Sequence, residues 1–173
     1  MRIYLRPINE QDSANIVKWR NSDEVRNHCM SKGLITEESH LAFYKTNVLT
    51  GKYKQFIVER VDEEFGLASY PIATVYLKDI DKENKRCELC LFTSNDVEWG
   101  ADGQKIAITM MLDKAFNDYG MHKVYSYVFP KYADEVNLLL SAGFAIEAVL
   151  KEESFTDNIW EDVVRLSVIN PQS

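Results

Sequence analysis

The chain has 173 residues, 46% of them hydrophobic, and a formal charge of −7 from 27 acidic and 20 basic side chains. This length and apolar content suit one packed core and fall short of two full domains. The acidic balance argues against nucleic acid as the main partner, because phosphate binding needs a basic surface. No apolar run nears the ~20 residues of a membrane helix.

The opening Met1 to Pro7 has no apolar core followed by a small-residue cleavage site, so a first strand, Arg2 to Arg6, is expected there rather than a secretory signal. Asn9 then caps a helix with Glu10 and Asp12 in its first turn and Ala14, Ile16, Val17 and Trp19 on its apolar side. Thr36 caps a second helix, where Glu37 and Glu38 suit the positive end of the dipole. Gln55 to Val61, Ile72 to Leu77 and, after a polar turn at Asp79 to Lys85, Arg86 to Thr93 are alternating segments that read as an antiparallel meander. A loop, Ser94 to Gly103, leads into a helix of about four turns that ends near Tyr119 with Gly120 as its stop. Lys123 to Phe129 is an apolar and aromatic strand, and Asp134 to Ala142 a short helix stopped by Gly143. Phe144 to Leu150 and Asp162 to Ile169 pair around a turn at Thr156-Asp157-Asn158. No linker or repeat divides these elements, so residues 1–173 are expected to form a single mixed α/β domain.

The cysteines are Cys29, Cys87 and Cys90, few and odd in number as in a reducing, cytoplasmic setting. Cys87 and Cys90 lie three apart on a strand and so face opposite sides; with no second pair, no metal site is expected. His28, His40 and His122 show no ligand spacing and no triad partner. The informative stretch is strand, loop, helix: Cys87 to Thr93, then Trp99-Gly100-Ala101-Asp102-Gly103-Gln104-Lys105, then Ile106 to Phe116. A glycine-bearing loop that opens a helix presents backbone N–H groups beside the positive dipole end, where diphosphate oxygens bind. Taken alone this signal is weak, because Gly100 and Gly103 are also what a plain turn requires. Ala107, Met111, Ala115 and Ile108, Leu112, Phe116 recur at helical spacing and read as core packing.

The order of short motifs resembles the RimJ/RimL-type branch of the GNAT N-acetyltransferases nearly end to end. Leu5-Arg6-Pro7 and Trp19-Arg20-Asn21 are similar to that branch's opening, and Ile35-Thr36-Glu37-Glu38 before Phe43 to its second helix. Pro71 to Leu77 with Asp79-Ile80-Asp81 resembles the third strand and turn, and Glu88-Leu89 through Trp99-Gly100 the fourth strand and pyrophosphate loop. Val124 to Phe129, Ala142-Gly143-Phe144, and Phe155, Asp157 and Asp162-Val163 resemble the fifth strand, the following helix and the closing hairpin. The resemblance implies a GNAT fold, a mixed and mostly antiparallel sheet flanked by helices, whose fourth and fifth strands splay to admit the pantetheine arm of acetyl-CoA. It implies that Leu91, Phe92 and Thr93 meet that arm, that Trp99, Gly100, Ala101, Asp102, Gly103, Gln104 and Lys105 hold the pyrophosphate, and that Tyr132, where the family often has Asn, lies at the cofactor. Asp102 stands where a glycine is usual. A carboxylate beside a diphosphate is repulsive, so Asp102 is expected to point outward while Gly103 admits the backbone.

The tyrosine that commonly protonates the leaving thiolate is replaced by Leu139. A thiol of pKa ~8.5 is already a tolerable leaving group, and Ser141, Tyr132 or water is available as an acid. The harder step is deprotonating an alkylamine of pKa ~10. Glu88 is the first candidate for that base and Glu98 the second. The acceptor side implied by the resemblance holds Trp19, Arg20, Asn21, His40 and Phe155, with Phe43, Tyr44 and Trp160 as further aromatic walls. The expected activity is acetyl transfer from acetyl-CoA, without a metal, to a primary amine such as a protein N-terminus, an amino acid or a polyamine, by a monomer or homodimer with neither nucleic acid nor membrane as partner. Trp19-Arg20-Asn21 and Glu38-Ser39-His40-Leu41 also resemble nucleotide-amino-sugar acetyltransferases of the pseudaminic-acid type. The rival from another class is a CoA-binding module with little catalysis, suggested by Leu139 and Tyr132.

Overall fold

Alternating apolar residues place one side of each central strand in a common core. The computed structural model describes residues 2–64, 68–94 and 99–173. Its strands are β1 (Ile3–Pro7), β2 (Lys54–Asp62), β3 (Ala68–Asp81), β4 (Arg86–Thr93), β5 (Lys123–Val128), β6 (Ala145–Thr156) and β7 (Ile159–Ile169). They form one seven-stranded sheet in the order β1-β2-β3-β4-β5-β7-β6. Every neighbouring pair is antiparallel except β4 and β5, which run parallel. Val58, Val75, Leu77, Leu89, Val124 and Leu166 point to the face covered by α4 (Gly100–Asp113) and α5 (Ala133–Ser141), which bury Ala107, Ile108, Met111 and Leu139 against them. The other face packs Ile57 against Ile16, Trp19 and Tyr44 from the segment containing α1 (Ser13–Asn21) and α3 (Glu37–Phe43). This is the α/β GNAT architecture, with helices on both faces of a mixed sheet.

Several boundaries differ from the sequence reading. Asn9 does cap, but it caps a 3-10 turn, Glu10–Asp12, in which Asp12 returns the bond to the Asn9 N–H; α1 begins only at Ser13. A further short helix, α2 (Asp23–Arg26), follows directly, with the Ser22 side chain accepting from the Val25 N–H. Its four residues carry too little periodicity to stand out in sequence. α4 starts at Gly100, inside the stretch read as loop, and both α3 and α4 run on into π-helical turns at Tyr44–Val48 and Lys114–Asp118. β6 and β7 extend to a tight turn at Asp157 and Asn158, both left-handed with φ of 52° and 62°, the backbone that a type I′ hairpin turn requires.

The parallel pairing of β4 with β5 is short: Arg86↔Lys123, Cys87↔Val124 and Glu88↔Tyr125. Beyond Glu88 the two strands part, and the fork opens at the C-terminal half of β4. Among the described residues no helix is long and apolar enough to cross a membrane.

Candidate active site

Strand geometry decides which β4 groups face the fork. The Ser94 N–H bonds to the Ile72 carbonyl on β3 at 2.8 Å, and backbone groups alternate in direction along a strand. Phe92 and Cys90 therefore turn their N–H and C=O toward β3, while Leu89, Leu91 and Thr93 turn theirs toward the gap. Ser126 confirms the direction, since its hydroxyl donates to the Leu89 carbonyl at 2.7 Å from the β5 side. Ser126 is buried at a core-facing position between Val124 and Val128, where it closes the base of the fork. Sequence reasoning missed it, although a lone hydroxyl in an apolar strand was a visible signal. Of the strand residues expected to meet the pantetheine arm, Leu91 and Thr93 offer backbone groups to it. Phe92 differs: its backbone belongs to the β3 ladder, and its ring packs edge-on to Tyr76, 6.1 Å between centroids, on the α1/α3 face.

Among the described residues, no side chain caps the first N–H groups of the helix that opens beside the fork. Gly100 sits at φ +65°, a conformation that side chains rarely adopt, and no described residue comes within 4 Å of where a β-carbon would stand. Trp99 is anchored in the core, Gly100, Ala101, Asp102 and Lys105 are exposed, Gln104 is half-buried, and Gly103 is buried. Asp102 thus stands outward and Gly103 inward. The N-terminus of a 14-residue helix, uncapped among the described residues and beside a gap between strands, fits the diphosphate and arm of coenzyme A.

Across the sheet, Glu88 occupies the last paired position before the fork, on the α1/α3 face and only 8% exposed. Its Oε2 lies 3.5 Å from Lys78 Nζ, and its Oε1 accepts from the Cys90 thiol at 3.4 Å. Lys78 is its direct partner in the β3–β4 register. Burial raises the Glu88 pKa above the usual carboxylate value, with Lys78 opposing. Burial also pushes the Cys90 thiol well above its usual range, so it stays protonated at neutral pH. Burial disfavours the Lys78 ammonium, but its neighbours outweigh this and raise its pKa; with Cys90 neutral, the carboxylates among them are Glu88 and, with a smaller effect, Asp79. Tyr53, Tyr76 and Phe92 make a run of ring contacts on the same face. Tyr125, the β5 register partner of Glu88, meets Tyr127 edge-on and carries Arg165 over its ring at 3.9 Å, and Arg165 is paired to Glu147. A buried carboxylate with a raised pKa at the mouth of the fork is equipped to take a proton from an amine.

The side chains expected around an acceptor separate into two groups. Trp19 is 2% exposed and belongs to the core with Ile16 and Tyr44, and His40 is 5% exposed, its Nδ1 2.9 Å from Ser13 Oγ between α1 and α3. Burial lowers the His40 pKa, with Asp12 opposing. Neither presents a face to a cleft, because the periodicity that put them on helices also turned them inward. Asn21 is occupied at both ends, donating to the Ile35 carbonyl and accepting from the Ile35 N–H. Arg20 donates to the Ser31 carbonyl, and its Nη1 has no hydrogen-bond partner among the described residues. Asn21 and Arg20 together tie down the loop between α2 and α3. Phe155, 55% exposed, packs at a tilt against Trp160, 4.6 Å between centroids, on the β6–β7 hairpin. Tyr132 stacks on His28 at 3.7 Å between centroids, and His28 pairs with Glu135 at 2.6 Å, which clasps the end of α2 to the start of α5. The Ser141 hydroxyl donates to the Leu138 carbonyl of its own helix at 2.7 Å and is exposed. Glu98 lies outside the described residues.

Comparison with known proteins agrees with this geometry. A model of the acetyltransferase (GNAT) domain matches residues 2–145. The spermidine N(1)-acetyltransferase of Escherichia coli (strain K12) is 22% identical over 176 residues, covering 98% of this chain and 87% of the relative. A shorter stretch of 65 residues, 38% of this chain and 36% of the relative, is 28% identical to the probable N-acetyltransferase YjcK of Bacillus subtilis. The crystal structure of spermidine N-acetyltransferase from Vibrio cholerae with CoA and spermine superposes with a TM-score of 0.87 at 22% identity, covering 96% of this chain and 95% of that one. The domain model carries the family, and the two relatives named here that match over nearly the full length are spermidine acetyltransferases, from which the RimJ/RimL branch does not emerge.

Proposed function

The chain belongs to the acetyltransferase (GNAT) family and is an acetyl-CoA-dependent N-acetyltransferase, and from that premise we propose that residues 1–173 work as one domain in which Glu88 is the general base for a primary amine entering across the α1/α3 face. The observation that carries the reading is the position of Glu88: buried, raised in pKa, and at the last β4–β5 pair before the fork. The diphosphate rests on the N–H groups at the start of α4, and the Leu91 and Thr93 backbone groups line the arm. The bound ammonium gives one proton to Glu88, the freed nitrogen attacks the thioester carbonyl, and the carbon–sulfur bond breaks to release CoA as thiolate while the second nitrogen proton leaves to solvent. β4 N–H groups at the fork stabilise the developing oxyanion. Because Ser141 already bonds its own helix and Leu139 is buried, protonation of the thiolate falls to solvent in this scheme, which a thiol's modest pKa tolerates.

The likeness to spermidine acetyltransferases, more than the RimJ/RimL pattern, makes spermidine the reference acceptor. A thiol-release assay with acetyl-CoA and a panel of spermidine, propylamine, ethanolamine and amino acids tests the activity. Release that depends on an amine supports it; tight CoA binding with no release for any amine would leave a CoA-binding module instead.

The cofactor end carries its own prediction. Asp102 is exposed in the first turn of α4, where a carboxylate opposes the diphosphate by Coulomb repulsion. Asp102→Asn is expected to lower the KM for acetyl-CoA by about two- to fivefold at low ionic strength and to lose that advantage near 0.5 M salt, where screening is complete within a few ångströms. An unchanged KM at both salt concentrations would place the diphosphate elsewhere.

A further inference from the structure

The Lys78 side chain is a primary alkylamine, the same class of group as the acceptor, and its Nζ lies 3.5 Å from Glu88 Oε2. The contact is built into the sheet. Lys78 and Glu88 are direct partners in the β3–β4 register, and Glu88 is also the last residue of β4 paired to β5 before the fork. Glu88 is buried, whereas the Lys78 side chain is 30% exposed, so the lysine keeps room to pivot about its carboxylate. The other Glu88 oxygen accepts from the Cys90 thiol at 3.4 Å. Other lysine pairs stand nearer the surface and away from the fork, Lys114 with Asp118 after α4 and Lys151 with Asp162 on the β6–β7 hairpin.

An acceptor ammonium that gives its proton to Glu88 has to stand beside this carboxylate, and the Lys78 ammonium already stands there. We infer that Lys78 is itself an acceptor: with acetyl-CoA bound and no free amine in the site, the enzyme acetylates its own Lys78 side chain. This rests on the proposed role of Glu88. The Lys78 ammonium gives one proton to Glu88, the freed Nζ attacks the thioester carbonyl, and the carbon–sulfur bond breaks. CoA leaves as thiolate, and the second nitrogen proton passes to solvent. Because Nζ is tethered at the base it needs no encounter, and well-oriented intramolecular groups act at effective concentrations that free amines do not reach. The product is a neutral amide. Glu88 loses the cation that opposes its burial, and the acetylated side chain fills the place of the acceptor's nitrogen, so the modified chain is a slower enzyme. A free amine that displaces Lys78 from Glu88 is acetylated in its stead. The acceptor thereby protects the enzyme that uses it.

The protein is incubated with acetyl-CoA in amine-free buffer, and intact mass, peptide mapping and thiol release are followed together. The expected result is a burst of about one CoA per chain, with the acetyl group on Lys78. Lys78 should react at least about tenfold faster than the exposed Lys45 and Lys52, with a rate constant unchanged by dilution of the protein. Lys78→Arg keeps a cation beside Glu88 and is expected to lose the burst, and Glu88→Gln to slow it by about 10²-fold or more. Whichever of spermidine, propylamine and ethanolamine is turned over is expected to suppress the labelling, and preincubation with acetyl-CoA alone to lower later turnover severalfold. Turnover of a free amine with no labelling of Lys78 overturns the inference and leaves the acetyltransferase reading intact. So does an acetyl group on Cys90 instead, equal labelling of Lys45 and Lys52, or a rate constant that rises with protein concentration. Selective labelling of Lys78 at the parent's rate in Glu88→Gln would sustain self-acetylation and count against Glu88 as the base. Neither labelling nor turnover would overturn both.

Discussion

Replacing Arg6 with methionine is expected to destabilise the fold by about 3 kcal/mol and lower its melting temperature by roughly 6–12 °C. The Arg6 guanidinium holds Asp12 with both terminal nitrogens, at 2.8 and 2.7 Å, and Glu59 through Nε at 2.8 Å. Asp12 and Glu59 are each 5% exposed, so losing Arg6 leaves two carboxylates without their shared cation in a poorly solvated place. Their charges raise the Arg6 pKa still further, so the guanidinium is charged at any working pH. Breaking a buried pair from one side typically costs 3–5 kcal/mol; because Arg6 itself is 29% exposed, the lower end applies. The same carboxylate of Asp12 accepts from the Asn9 N–H, so this cluster also sets where the 3-10 turn and α1 leave β1. A double variant, Arg6→Met with Asp12→Asn, neutralises one of the stranded charges and is expected to recover part of the loss. A melting temperature within about 2 °C of the parent for Arg6→Met, or no recovery in the double variant, would show that the pairs contribute little beyond the alkyl packing of Arg6.

The parts legible in sequence were those governed by local periodicity. Alternation in Gln55 to Val61 and Arg86 to Thr93 reports which side of a strand is dry, and it correctly put Cys87 and Cys90 on opposite faces: Cys87 lies in the core and Cys90 against Glu88. Glu88 stood out because it lies on the strand expected to hold the cofactor. Lys78 did not, because its meeting with Glu88 depends on the β3–β4 register, which two separate strands do not declare. Trp19 and His40 show the opposite failure. Each lies on a helix beside the expected cleft, yet the side it presents is decided by how α1 and α3 rotate onto the sheet, and both end up buried. Arg20 and Asn21 are fixed by the path of an irregular loop, since their partners are the carbonyls of Ser31 and Ile35. Loop paths leave no periodic trace. The stretch from Trp99 to Lys105 was legible for the reason that makes it useful: a glycine with positive φ at the head of a helix is both a sequence mark and a binding geometry.

Glu88→Gln is expected to reduce kcat/KM by about 10²–10³-fold at pH 7, and the size of the loss should itself depend on pH. An acceptor amine of pKa ~10 is free base to only about one part in 10³ at pH 7. With Glu88 ionised, the enzyme accepts the abundant ammonium form and removes its proton in the site, so kcat/KM is nearly level above the Glu88 pKa. Glutamine cannot take that proton, and the variant has to capture the scarce free amine. Its kcat/KM should climb about tenfold per pH unit between pH 6 and 9, and the gap to the parent should close accordingly. On the acid side, the raised Glu88 pKa means the parent loses activity as pH falls through that value, earlier than an ordinary carboxylate would permit. Stability runs the other way. A carboxyl whose pKa is higher in the folded state favours folding when protonated and opposes it once ionised, so its contribution is lost as pH rises through the folded value. Glu88→Gln should therefore melt at or above the parent temperature at pH 7 while being far less active. That pairing of unimpaired stability with a pH-dependent deficit distinguishes a base from a structural carboxylate. A variant with level kcat/KM from pH 6 to 9, equal to the parent's, would remove Glu88 from the chemistry. A deficit that is the same at every pH would assign it to binding the acceptor ammonium rather than deprotonating it.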